Sequence, residues 1–194
     1  MSSPLRPSKL QVLAMGMLCA LSARGDPGYY VVTPYDNESL RWVDLRYWTV
    51  QQHAGTQVVW PELGLGYGVS SRWSTELFVS WEGSRIEAVR PGTLNWQNDV
   101  LLTQGELPLD IALHTQWIRD ADPPHQRALE WGPLLQTNVG RTQLNLNLIL
   151  ARELGGPSTR PTQLKIQWQV RHHTWPSVHL GLQGFADSRM RSLR

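Results

Sequence analysis

Few residues in this chain are placed to do chemistry. His172-His173 and His179 lie close together and would suit a metal ion. Neighbouring residues of a strand point to opposite faces, so His172 and His173 cannot share an ion without a bulge. They are read as rim residues, and no metal is expected. Glu62, Glu76 and Glu82 share one stripe if their segments are strands, the arrangement an acid/base pair would need. The same stripe suits a charged lumen in which Arg141, Lys165 and Arg171 balance the carboxylates. The run GLGYG at 64–68 has no helix after it and so is no phosphate loop. Ser70-Ser71 has no His or Asp beside it to activate a nucleophile. A lipid-cleaving membrane enzyme would need a His and a Ser exposed together to lipid, and no such pair stands out. The expectation is a protein with no catalytic residues and no cofactor.

The elements that would position these residues are strands. The chain has 194 residues, 41% of them hydrophobic and 18% charged, which suits a folded domain and not a disordered tail. A mean hydropathy of −0.34 excludes a bundle of membrane helices. Residues 10–22 read LQVLAMGMLCALS after Arg6 and Lys9, with small Ala20, Ser22 and Ala23 following the apolar core. That layout is a secretory signal peptide, expected to span 1–23. Its apolar run is too short for a helix that crosses a bilayer, which takes ~20 residues. Bulky Leu18 before Cys19 disfavours a lipid-modified cysteine. Removing Arg6 and Lys9 brings the 18 basic residues level with the 16 acidic ones. A near-neutral mature chain disfavours a nucleic-acid partner.

After residue 30 the apolar period is two, not 3.6. Leu144, Leu146, Leu148 and Leu150 alternate with Gln143, Asn145, Asn147 and Ile149. Leu164, Ile166, Trp168 and Val170 alternate with Lys165, Gln167, Gln169 and Arg171. Asp110 and Glu130 sit on the polar side of two further runs. Strands are expected at 39–52, 57–69, 73–82, 93–103, 108–118, 128–138, 141–153, 162–172 and 178–187. Residues 24–38 would be a periplasmic segment and 188–194 a polar basic tail. Most of these strands match the ~9–11 residues of a tilted membrane crossing. Short connections (70–72, 104–107, 139–140, 173–177) alternate with longer ones (83–92, 119–127, 155–161), as in an outer-membrane barrel. The 53–56 connection is the short exception.

Two registers follow from the turns. A turn at 70–72 sets Gly68 against Ser74, Gly66 against Glu76 and Gly64 against Phe78. A turn at Val139-Gly140 sets Asn138 against Arg141 and Gln136 against Gln143. Both keep polar residues on one face.

Alternation leaves open which face is inside. The polar face is rich in Gln and Asn, which suits a lumen. There are ten Trp against two Phe, and Trp60, Trp73, Trp81, Trp117 and Trp175 stand near strand ends. Indole combines an apolar body with one N–H donor and fits a membrane–water boundary. The lumen would be lined by Glu62, Glu76, Glu82, Asp110, Glu130, Arg141, Asn145, Asn147, Lys165, Gln167 and Arg171.

The segments WPELGLGYGVSSRWSTELFVSWE (60–82), LPLDIALHTQW (107–117), EWGPLLQTNVGRTQLNLNLILARELG (130–155) and VHLGLQGFAD (178–187) resemble an uncharacterised family of proteobacterial porin-like outer-membrane β-barrel proteins. The resemblance covers most of residues 30–187, and its motifs are structural. It implies a β-barrel in the outer membrane and no assigned activity. Members of that family continue for roughly three further strands to a terminal aromatic, in keeping with even strand counts. This chain ends on a polar tail, so a C-terminally truncated copy is expected.

The reading is therefore all-β: an antiparallel up-and-down transmembrane β-barrel of about nine strands, incomplete, after a signal peptide. It would sit in the outer membrane of a Gram-negative bacterium as a small-solute pore or a scaffold. Outer-membrane lipid and the barrel-assembly machinery would be its partners. The alternatives are a soluble periplasmic β-barrel that binds an apolar ligand, and a membrane-embedded enzyme of lipid metabolism.

Overall fold

A computed structural model describes residues 31–32, 38–51, 57–121, 126–154, 161–175 and 178–189. The expected signal peptide lies outside them. Every described strand joins one antiparallel sheet in chain order: β1 (Arg41–Gln51), β2 (Gln57–Ser70), β3 (Trp73–Glu82), β4 (Arg90–Leu101), β5 (Asp110–Asp120), β6 (Arg127–Val139), β7 (Thr142–Leu154), β8 (Gln163–Trp175) and β9 (Val178–Arg189). The sheet curls into a half-barrel. β1 and β9 are its two edges and do not pair with each other. With strict up-and-down order, β1 and β9 run in the same direction. An odd number of further strands would be needed to close it antiparallel.

Most inward side chains are polar and most large outward ones are apolar. Glu62, Glu76, Gln97, His114, Glu130, Gln136, Gln143, Asn145, Asn147 and Gln167 are buried on the concave side. The convex side exposes Leu45 at 77%, Leu65 at 58%, Trp96 at 53% and Leu182 at 65%. Alternation produces this directly, since each strand sends every second side chain inward. A few inward positions are apolar: Leu101, Ala112, Leu134 and Ile149 are also buried.

The tight turns set the register. Ser71 and Arg72 join β2 to β3, and the Ser70 hydroxyl accepts hydrogen bonds from the Arg72 and Trp73 amides. The resulting pairs are Gly68 with Ser74, Gly66 with Glu76 and Gly64 with Phe78, as the turn at 70–72 implies. The β6–β7 turn differs from expectation. It is Gly140-Arg141, so Asn138 meets Gln143 and Gln136 meets Asn145. Gly140 adopts φ +60, and a left-handed first corner followed by an ordinary residue is the type II′ arrangement that suits the strand twist. The slip is two residues, an even number, so every side chain keeps its face.

The β4–β5 link also departs from the short turn expected. β4 begins at Arg90 and ends at Leu101, leaving a connection over 102–109. Gly105 sits there at φ +70, and its amide donates to Asp110 Oδ1 at 2.7 Å. The Thr103 hydroxyl accepts from the Ile111 amide at 2.8 Å. Side chains thus close this loop where ladder bonds stop. The earlier start of β4 follows from a bulge between Val79 and Trp81. There the buried Ser80 hydroxyl accepts from the Thr93 amide at 2.8 Å. That bond spans the irregularity and lets Trp81 and Glu82 pair with Pro91 and Arg90. The connection over 83–89 contains a single 3₁₀ turn, Ile86–Ala88.

A Cβ at Gly140 would meet nothing within 4 Å, so only its backbone conformation resists substitution. Gly140→Val is expected to destabilise the protein by about 1–2 kcal/mol, the cost of a left-handed β-branched residue. Gly140→Asn should cost clearly less. Urea unfolding followed by tryptophan fluorescence checks both, and equal losses would contradict the turn assignment.

Candidate functional site: the concave face

Three strands build the densest part of this face. Trp42, Asp44, Arg46 and Trp48 are the inward set of β1, alternating with exposed Val43, Leu45 and Tyr47. Trp42 pairs with Gly66 and Gly66 with Glu76. Gly66 has no side chain, so the Trp42 ring crosses it and donates Nε1–H to Glu76 Oε1 at 3.0 Å. A Cβ on Gly66 would stand 1.9 Å from that ring. Gly64 makes room in the same way for Phe78, whose ring would lie 2.6 Å from a Cβ there. The Arg46 guanidinium stands 4.3 Å from the Phe78 ring centroid, within cation–π range. Arg46 also bonds Asp44 and lies 3.8 Å from Glu62.

In the middle of the sheet, Asp99 and His114 face each other across β4 and β5. His114 Nδ1 lies 2.6 Å from Asp99 Oδ1, and Gln97 donates to the other carboxylate oxygen at 2.7 Å. His114 is 1% exposed. An Asp–His pair invites comparison with a nucleophilic triad. Here Ser74 pairs with Asp99 and Asp99 with His114, so the carboxylate stands between hydroxyl and imidazole. A triad needs the hydroxyl on the imidazole. On the other side of His114 stands Gly132, which offers no side chain.

The far strands carry a ladder of amides and ion pairs. Lys165 Nζ lies 2.8 Å from Glu130 Oε1. Asn145 donates to Gln169 at 3.2 Å and Asn147 to Gln167 at 3.0 Å. Arg171 donates to Gln143, and Arg141 reaches the Thr174 carbonyl at 2.9 Å.

Most residues expected on the lumen side fall on the concave face, but the expected charge balance does not form. Glu62 meets Arg46, and Glu76 meets Trp42; neither meets Arg141, Lys165 or Arg171. Those cations sit on or beside β7 and β8, and a side chain bonds most readily to the strand next door. Glu82 is exposed at the end of β3, and Asp110 serves the 102–109 loop. Of the five boundary tryptophans, Trp73, Trp117 and Trp175 are exposed, and Trp81 is half-buried at the bulge. Trp60 instead pairs with Trp48 on the same side as Glu62. His173 and His179 stack edge-on at 4.0 Å, while His172 bonds the Thr142 hydroxyl.

Sequence reasoning passed over Trp42, Asp44, Arg46 and the Asp99–His114 pair. The alternation in 41–48 could have flagged the first three, whereas the pair depends on the β4–β5 register. No protein-family model, no curated protein and no solved structure matches the chain.

The geometry makes Gly66 the passage for Trp42. Gly66→Val should displace the indole and cost about 1–3 kcal/mol, as overpacking does. Trp42→Phe keeps an aromatic ring but loses the N–H that bonds Glu76, and should cost about 1–3 kcal/mol. The double variant should cost less than the sum of the two, because both act on one contact. Strict additivity in chemical denaturation would contradict the contact.

Proposed function

We propose that this chain is an outer-membrane-type β-barrel protein whose convex face lies in lipid and whose polar bore passes small solutes. The observation that carries the proposal is the inversion of the faces: buried Gln, Asn and Glu inside, exposed Leu, Val and Trp outside. A soluble barrel holding an apolar ligand would need the reverse.

Polar atoms on the convex face support the same reading, because hydrocarbon offers them no partner. Trp96 Nε1 donates to the Thr75 hydroxyl at 2.9 Å, and Trp73 Nε1 donates to Asn98 at 3.2 Å. The Thr75 and Thr115 hydroxyls turn back onto the carbonyls of Gln97 and Asn98. Outer-membrane lipid and the barrel-assembly machinery are the partners this reading entails, and the outer membrane of a Gram-negative bacterium is the location. In that setting the open edges of β1 and β9 leave backbone groups that require pairing, since each unsatisfied group costs several kcal/mol in lipid.

Fractionation tests the reading: the protein should need detergent for release and should stay behind on osmotic shock. A paired substitution tests the faces. Leu146 is outward and 38% exposed, while Gln169 is inward beside Asn145. Leu146→Arg should cost about 2–4 kcal/mol in bilayers, and Gln169→Arg much less. Equal costs, or release by osmotic shock, would overturn the proposal.

A further inference from the structure

The convex face carries a groove of about 970 Å³ over β1–β4. It runs between two rows of outward side chains. Register sets Arg41, Tyr67 and Thr75 in one row, and Val43, Leu65, Leu77 and Trp96 in the next. The floor is the sheet itself at Trp42, Gly66 and Glu76, positions whose side chains belong to the other face. Trp96 gives its one N–H to the Thr75 hydroxyl, so its ring offers the groove only apolar surface. The volume is at the upper end of the ~300–1,000 Å³ that small-molecule sites occupy. Two other grooves are lined with charges instead: Glu130, Arg152 and Lys165 in one, Glu82, Arg90 and Asp120 in the other.

One cation stands at the end of this apolar groove. Arg41 is exposed, and its guanidinium lies 6.0 Å from the Tyr67 ring centroid. Among the described residues no carboxylate bonds it, whereas Arg46 and Lys165 both meet one. Tyr67 and Trp73 are exposed nearby, at the strand ends beside the 71–72 turn. Aromatic rings at strand ends mark a membrane–water boundary. An arginine there lays its stem on apolar surface and holds its head at the level of lipid phosphates. The guanidinium fork binds phosphate oxygens in pairs. Arg41 and Trp96 are three strand spacings and one row apart, about 16 Å. That is about half of a ~30 Å hydrocarbon core, the depth one acyl chain fills.

We propose that this groove binds one anionic phospholipid, with its phosphate on Arg41 and an acyl chain laid past Val43, Leu65 and Leu77 to Trp96. The proposal rests on the membrane reading above and adds a preference that reading lacks. A convex face that only dissolves in lipid needs neither a groove nor a cation at its end. The charge sets the lipid class. A zwitterionic lipid brings its own cation to the phosphate and gains less from Arg41, while an anionic one keeps its full attraction.

The test uses the full-length protein refolded into phosphatidylcholine vesicles. These carry a rising fraction of phosphatidylcholine or phosphatidylglycerol brominated on its acyl chains. Bromine quenches indole on contact, and the difference in emission between the parent chain and Trp96→Phe isolates Trp96. Brominated phosphatidylglycerol should quench Trp96 at a lower fraction than brominated phosphatidylcholine. Arg41→Gln should reduce that preference about fivefold, the factor one basic residue sets at an anionic membrane surface. Arg72→Gln removes the same charge at the same end of the sheet, where Arg72 bonds Glu106, and should leave the preference intact. Total tryptophan emission gives the same comparison of the two arginine variants, so it stands even where Trp96→Phe fails to fold. Equal quenching by the two lipids, or equal losses from Arg41→Gln and Arg72→Gln, would overturn the lipid site while the membrane reading stands. No quenching of any tryptophan by either lipid would overturn the membrane reading and the lipid site with it.

Discussion

Each strand offers its side chains two directions only, and everything else in this protein follows from how those directions are shared. Strands bonded in chain order lock the parity of every residue to that of its neighbours. Slipping a whole strand by one residue would turn its Glu and Gln outward and bring its Leu and Val onto the concave face. The turns hold that parity. Ser70 does so by taking up the amides of Arg72 and Trp73, and Gly140 by supplying a left-handed corner.

Given that lock, the concave face is assembled by local reach. Trp42 crosses Gly66 because the register sets Trp42, Gly66 and Glu76 in one row. Arg46 serves Asp44, Glu62 and the Phe78 ring because those groups lie within two strands of it. The same limit explains why Lys165 pairs with Glu130 and Arg171 with Gln143. Arg46 and Lys165 meet carboxylates on this face, whereas Glu76 is held by an indole and Arg171 by an amide. The face thus interlocks rings and ions on β1–β3 and repeats amides on β7 and β8.

Much of this is legible from period two. The alternation of Leu144 to Leu150 with Gln143 to Ile149 gives the faces of β7, and the turn at 70–72 gives the β2–β3 register residue by residue. The β6–β7 register escapes the sequence because Val139-Gly140 and Gly140-Arg141 preserve the same faces; only the conformation of Gly140 separates them. The start of β4 is hidden by a bulge that a hydroxyl spans, and a bulge leaves no periodic trace. Nearness to a strand end misplaces Trp60, although its parity with Glu62 already sets it inward. The hydrogen bond that Asn147 donates to the Val32 carbonyl is beyond reach, since nothing local links the two residues.

Because each strand bonds only to its neighbours in the chain, the sheet can assemble without any long loop being closed first. Loop closure becomes more costly as the loop lengthens, so the shortest connections form earliest. Links of two residues join β2 to β3 (71–72), β6 to β7 (140–141) and β8 to β9 (176–177), and hairpins joined so tightly are the natural starting points. The 102–109 link between β4 and β5 is longer, and side chains hold it. By the same argument the Asp99–His114 row, which spans that longer link, is expected to join after the tight hairpins.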